Sequence, residues 1–131
     1  ICEMLKLCDV VVVTIPYTKV THHLINEIMF KAMKDGIFFI NVARGNIVDE
    51  ICLIENLKNG KLAGAAIDVY EEEPIEKHNP LWDLNNVILT SHNSWISEMR
   101  NERRFKIIYE NMKRYITHEK LENVVDLKKG Y

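Results

Sequence analysis

The sequence predicts an α/β domain built on a parallel, doubly wound sheet, and three observations lead there. Four apolar, largely β-branched runs recur, at residues 9–13, 37–42, 65–69 and 87–90. They are continuous rather than alternating, as in strands covered on both faces. Helical patterns with their own start and stop signals separate the first three runs. The resulting order βαβαβ, with right-handed crossovers, lays successive parallel strands side by side with helices on the faces.

Taken in order, Ile1 to Leu7 read as the end of a helix that leads straight into the first strand, Asp9 to Val13. Asn26 is placed to cap a short helix carrying Ile28, Met29, Phe30 and Met33 and ending at Gly36. Asp49 is placed to cap another, carrying Leu53, Ile54 and Leu57 and ending at Gly60. A short polar side chain before an apolar face and a glycine after it are the usual helix boundaries. In the final third, Phe105, Ile108, Tyr109, Met112, Tyr115 and Ile116 recur at helical spacing, with Arg103, Lys106, Glu110, Lys113 and Arg114 elsewhere. One amphipathic helix over roughly residues 97 to 118 is expected. The tail from Glu119 to Tyr131 is polar apart from Val124 and Val125 and reads as irregular.

A chain of 131 residues with 47% apolar content suits a domain that buries a core. Its net charge of −2 points neither to nucleic acid nor to a membrane surface as partner. Cys2, Cys8 and Cys52 are odd in number and form no C-x-x-C pair, so neither a disulfide framework nor a metal site is suggested. A reducing cytoplasm is the expected setting. The apolar runs are too short to span a bilayer. The glycines at 36, 45, 60, 64 and 130 include no G-x-G, so the phosphate-cradling turn of a dinucleotide fold is absent. The expectation is therefore the later half of a doubly wound, Rossmann-like domain, and a fragment of a longer protein.

Four ordered motifs carry a family resemblance: Asp9-Val-Val-Val-Val-Thr-Ile-Pro-Tyr-Thr18, Asn41-Val-Ala-Arg-Gly-Asn-Ile-Val-Asp49, Gly64-Ala-Ala-Ile-Asp-Val-Tyr-Glu-Glu-Glu-Pro74 and Asn86-Val-Ile-Leu-Thr-Ser-His92. Together they resemble the successive signatures of the NAD-dependent D-isomer-specific 2-hydroxyacid dehydrogenases. The resemblance implies that residues 1–96 are the carboxyl-terminal half of an NAD-binding domain. It implies that residues 97–131 are the crossover helix and tail of a substrate domain. It further implies a homodimer in the full-length form, NAD as cofactor, and a small 2-keto or 2-hydroxy acid as substrate, of phosphoglycerate or of hydroxypyruvate/glyoxylate type.

Three side chains carry the expected chemistry: Arg44, Glu73 and His92. A guanidinium binds a carboxylate in bidentate fashion and stays charged, which suits Arg44 as substrate anchor. Gly45 behind it permits a sharp turn off the strand. Imidazole titrates near working pH, which suits His92 as proton donor. A carboxylate beside an imidazole favours its charged form and fixes its tautomer, which suits Glu73, locked before Pro74. His22, His23, His78 and His118 are expected at the surface, and Glu71 and Glu72 in a solvated acidic turn.

Ligands of parallel α/β sheets sit outside the carboxyl ends of the strands. The expected cofactor contacts are accordingly Thr14, Ile15 and Pro16, then Val42, Ala43 and Arg44, with Asp68, His92, Ser94 and Trp95 completing the pocket. Asp68 resembles the family residue at the nicotinamide end. Ser91 stands where many members have proline. His92-Asn-Ser-Trp95 also resembles the H-x-x-W of the C-terminal-binding-protein corepressors, which keeps an NAD-binding interaction protein as an alternative, beside an inactive remnant. Glu73 speaks against the formate dehydrogenase branch, which typically carries glutamine there.

Overall fold

The structure is a computed structural model that describes all 131 residues and divides into two compact units, Ile1–Ser94 and Trp95–Tyr131. In the first unit a helical turn α1 (Cys2–Leu5) leads into strand β1 (Val10–Val13), and α2 (Glu27–Ala32) leads into β2 (Ile37–Asn41). Helix α3 (Glu50–Lys58), β3 (Leu62–Ile67) and β4 (Val87–Leu89) complete it. All strand pairings are parallel, and the sheet runs in sequence order, β1-β2-β3-β4.

The helix boundaries follow local chemistry. The Asn26 side chain accepts from Ile28 N–H and the Asp49 side chain from Cys52 N–H, each removing one orphan donor of a first turn. Helix α2 ends at Ala32, before Gly36, because Met33 already turns extended (ψ 158°). Strand β3 begins at Leu62 rather than at residue 65. Its first half, Leu-Ala-Gly, has no β-branched residue to announce it. Asp68 and Val69, expected within the strand, lie just past its end.

Each crossover shifts the chain one strand in the same direction, so right-handedness puts α1, α2 and α3 on one face. There Leu5, Phe30, Met33, Leu53, Ile54 and Leu57 close on Val11, Val13, Ile37, Phe39, Ala65 and Ile67. Phe30 and Phe39 meet edge to face, 5.5 Å between centroids, and neither is accessible to solvent. Each ring contributes about 2–3 kcal/mol by leaving water. The opposite face is bare. Val10, Val12, Phe38 and Ile88 are all about half exposed or more, so the expectation of strands covered on both faces is corrected.

The β3–β4 connection contains no α-helix. It carries a cis Glu73–Pro74 peptide and a 3₁₀ turn (Pro80–Asp83), capped by Asn79 and anchored by buried Leu81. In the second unit α4 spans Arg100–Ile116, shorter than expected at both ends, and buries none of its residues. Its stripe of Phe105, Ile108, Tyr109, Met112, Tyr115 and Ile116 is exposed. The tail folds back on the helix: Asn111 exchanges two hydrogen bonds with the Glu122 backbone, and Arg114 pairs with the Glu122 carboxylate at 2.6 Å. No helix is long and apolar enough to cross a membrane.

Candidate active site

The carboxyl ends of the four parallel strands open on one rim, and the polar residues gather in the loops that leave it. Asn41 closes β2 with its side chain buried. It accepts from Ala43 N–H and donates to the Arg44 carbonyl, bending the chain so that Arg44 leaves the sheet. The Arg44 guanidinium donates to its neighbour's Ala43 carbonyl at 2.6 Å, and the residue remains exposed. A 3₁₀ turn (Gly45–Ile47) follows. Gly45 has no positive φ, so conformational freedom is not its role. A Cβ there would lie 1.9 Å from the Tyr70 carbonyl carbon. The Arg44 turn is thus seated directly on the Tyr70–Glu71 peptide, and glycine is required for that approach.

Beyond β3, Asp68 is 3% exposed and fully engaged: it accepts from Thr90 Oγ1 (2.6 Å), Asn93 N–H (2.9 Å) and Ser94 N–H (2.9 Å). Burial alone would raise its pKa, but the Thr90, Ser94 and Asn93 donors outweigh it and hold the carboxyl at about 2. Asp68 therefore fastens the loop on which His92 stands. His92 itself has φ 51°, a left-handed backbone that a non-glycine residue adopts only when its surroundings impose it. Those surroundings are the Asp68 bonds on the following amides and the bond of Tyr70 OH to the Thr90 carbonyl (2.8 Å).

Glu73 meets His92 from the other side. Its Oε2 is 2.7 Å from His92 Nδ1 and its Oε1 accepts from Tyr70 N–H at 3.1 Å. Burial pushes the Glu73 carboxyl up, while the His92 and Tyr70 bonds and the His92 and Arg44 charges pull it down more, for a net lowering. The Glu73 contact engages Nδ1 and so sets the ring's orientation.

Of the remaining sequence-predicted residues, Thr14, Ile15 and Pro16 leave β1 exposed, Val42 is exposed and Ala43 is buried. Trp95 belongs to the second unit, where the Arg100 guanidinium lies 4.3 Å from the centroid of its ring. Two expectations are corrected. Glu71 is not a solvated turn residue: its carboxylate accepts from Glu50 N–H at 3.0 Å, and His23 Nε2 stands 2.8 Å away without hydrogen-bond alignment. His23 is accordingly half-buried rather than at the surface. Asn41, Tyr70 and Thr90 were missed as site residues. Asn41 had a signal, a lone amide ending an apolar run. Thr90 and Tyr70 had none.

The chain is similar to known proteins over most of its length. Residues 1–94 match the model of the D-isomer-specific 2-hydroxyacid dehydrogenase NAD-binding domain. A D-3-phosphoglycerate dehydrogenase of Archaeoglobus fulgidus is 51% identical over 89 residues, 68% of this chain and 17% of that protein. A glyoxylate reductase of Thermococcus onnurineus is 47% identical over 90 residues, 69% of this chain and 27% of its own length. Among solved structures, a D-isomer-specific 2-hydroxyacid dehydrogenase of Xanthobacter autotrophicus in complex with NADPH and MES superposes with a TM-score of 0.91 at 38% identity. The match covers 99% of this chain and 53% of that one. An NADPH-dependent glyoxylate/hydroxypyruvate reductase of Sinorhizobium meliloti, in complex with NADP and sulfate, gives 0.91 at 30% identity, covering 99% and 42%. The chain thus spans about a sixth to just over a quarter of these curated relatives and about half of these solved chains. On its matched residues, its parallel sheet and its strand-end loops, the chain belongs to the D-isomer-specific 2-hydroxyacid dehydrogenase family, within the NAD-binding domain.

Proposed function

We propose that this chain supplies the catalytic half of a dehydrogenase that interconverts a 2-keto acid and a D-2-hydroxy acid. The observation that carries the reading is the 2.7 Å Glu73–His92 contact on a rim that also bears Arg44. Arg44 anchors the substrate carboxylate. His92 delivers a proton to the carbonyl oxygen during reduction and takes it back from the hydroxyl during oxidation. Glu73 holds the imidazole in orientation and offsets its positive charge. The relatives named as phosphoglycerate dehydrogenase and glyoxylate reductase support substrates of those two kinds, and we favour the former.

The residues present suit the nicotinamide end of a dinucleotide. Ile15 and Val42, each a little over one-third exposed, offer apolar surface at neighbouring strand ends for a planar ring. Thr14, Pro16, Ala43, Arg44, Asp68, His92 and Ser94 complete the assignment within the first unit. No G-x-G turn for the diphosphate lies within these residues. The cofactor, when bound, supplies the hydride to the carbonyl carbon. Residues 97–131 are assigned to the substrate domain and the complete protein to a cytoplasmic homodimer, in keeping with three free cysteines. The test is oxidation of NADH by the complete enzyme carrying this chain, with hydroxypyruvate, glyoxylate and 3-phosphohydroxypyruvate as acceptors. Absence of turnover with every 2-keto acid sinks the reading.

A further inference from the structure

Glu71 lies two residues before the proton donor's partner, Glu73, and the mechanism above gives it no task. Its surroundings are unusual for a loop carboxylate. Glu71 and Glu50 bond reciprocally: Glu50 N–H donates to Glu71 Oε1 (3.0 Å) and Glu71 N–H donates to Glu50 Oε2 (3.2 Å). Both carboxylates are half-buried and need donors in place of water. The amino terminus of α3 supplies one side of that need, since Glu50 is its first residue. Asn79 Nδ2 supplies another, donating to Glu50 Oε1 at 2.6 Å, and His23 Nε2 packs against Glu71 Oε1 at 2.8 Å.

The same residues join the three loops of the rim. His23 N–H donates to the Asn46 carbonyl (2.9 Å), and Asn46 Nδ2 donates to the Glu71 carbonyl (3.1 Å). Asn46 belongs to the turn that follows Arg44, and that turn rests on the Tyr70–Glu71 peptide through Gly45. Two residues beyond Glu71, Glu73 bonds back to Tyr70 N–H and across to His92. A displacement of Glu71 would therefore move the Arg44 turn and the Glu73 turn relative to each other.

We propose that Glu71, clasped between the α3 amino terminus and His23, is a positioning residue that sets the Arg44 turn against the Glu73–His92 pair. It touches neither substrate nor cofactor. Its functional meaning rests on the dehydrogenase reading, but its structural effect is measurable without turnover. Glu73 is the natural reporter, because His92, Tyr70 N–H and Arg44 all bear on its carboxyl.

Carboxyl ¹³C NMR of this chain reads that group directly. In Glu71→Ala the Glu73 midpoint is expected to rise by about half a pH unit or more as those partners drift. Glu71→Gln keeps an oxygen for Glu50 N–H and should leave the midpoint within about a fifth of a unit of the parent. Where Glu71→Ala does not fold, Asn46→Ala removes a single bond between the turns and should shift Glu73 upward by a smaller amount. A folded Glu71→Ala chain, or in its place a folded Asn46→Ala chain, in which Glu73 titrates as in the parent overturns the proposal. So does a glutamine variant that shifts as far as alanine. A complete enzyme without keto-acid reductase activity, by contrast, would count against the dehydrogenase reading and leave this measurement untouched.

Discussion

The Glu73 carboxylate and the His92 imidazole meet at 2.7 Å although they stand 19 positions apart in the chain, with strand β4 between them. Each is held by a different anchor, Glu73 by the Tyr70 amide and the His92 loop by buried Asp68. The contact is therefore held from both sides, and Tyr70 links the two through its hydroxyl on the Thr90 carbonyl.

His92→Ala in the complete dehydrogenase should lower kcat by roughly two to four orders of magnitude, the usual worth of a positioned general acid. Glu73→Gln keeps the shape and removes the charge, so a smaller loss is expected, about tenfold. Steady-state oxidation of NADH with a 2-keto acid measures both. Turnover unchanged by His92→Ala would remove the histidine from the mechanism.

Acid should loosen the His92 loop through Asp68. Its folded pKa of about 2 lies below its ordinary value of 3.8, so the folded state binds the proton less readily than the unfolded chain. The resulting stability, at most about 2 kcal/mol, is fully present above about pH 4 and is lost as pH falls towards 2. Glu73, also lowered, acts in the same direction. Urea unfolding of the parent and of Asp68→Asn should show a stability gap at neutral pH that closes in strong acid. An equal gap at both pH values would show that ionisation of Asp68 is not what the fold uses.

Gly45→Ala should be costly, about 3 kcal/mol or more, because the added methyl meets backbone that has no room to yield. Gly64→Ala makes a useful control: its Cβ would meet the Asn86 carbonyl oxygen at 3.0 Å and the Phe38 ring at 3.4 Å, so a few tenths of an ångström relieve it. Thermal melting of both variants checks the order. A Gly45→Ala chain as stable as Gly64→Ala would mean that the Arg44 turn does not rest on the Tyr70–Glu71 peptide.

NADH should bind this chain weakly, in the high micromolar range or above, since the turn that cradles the diphosphate contributes much of the grip in dinucleotide folds. Isothermal calorimetry gives the answer. Submicromolar binding would place the nucleotide somewhere other than the strand-end rim.

By itself the sequence determined what neighbours along the chain can settle. The caps at Asn26 and Asp49, the four strand cores and the α4 stripe all depend on side chains within a turn or two of each other. Arg44, Glu73 and His92 were legible as candidates because ordered motifs carry them. Only the tertiary structure decided how they are held. Asp68 spends its carboxylate on Thr90, Asn93 and Ser94, Gly45 is needed for a close approach, and Glu71 with His23 sits inside a clasp rather than in water. Each of these joins residues that fall in different loops, where the partner is chosen by packing of the loops on the sheet and leaves no periodic trace in the sequence. The bare sheet face has the same origin: apolar runs announce that strands will be covered, but the direction of successive crossovers decides which face these helices cover.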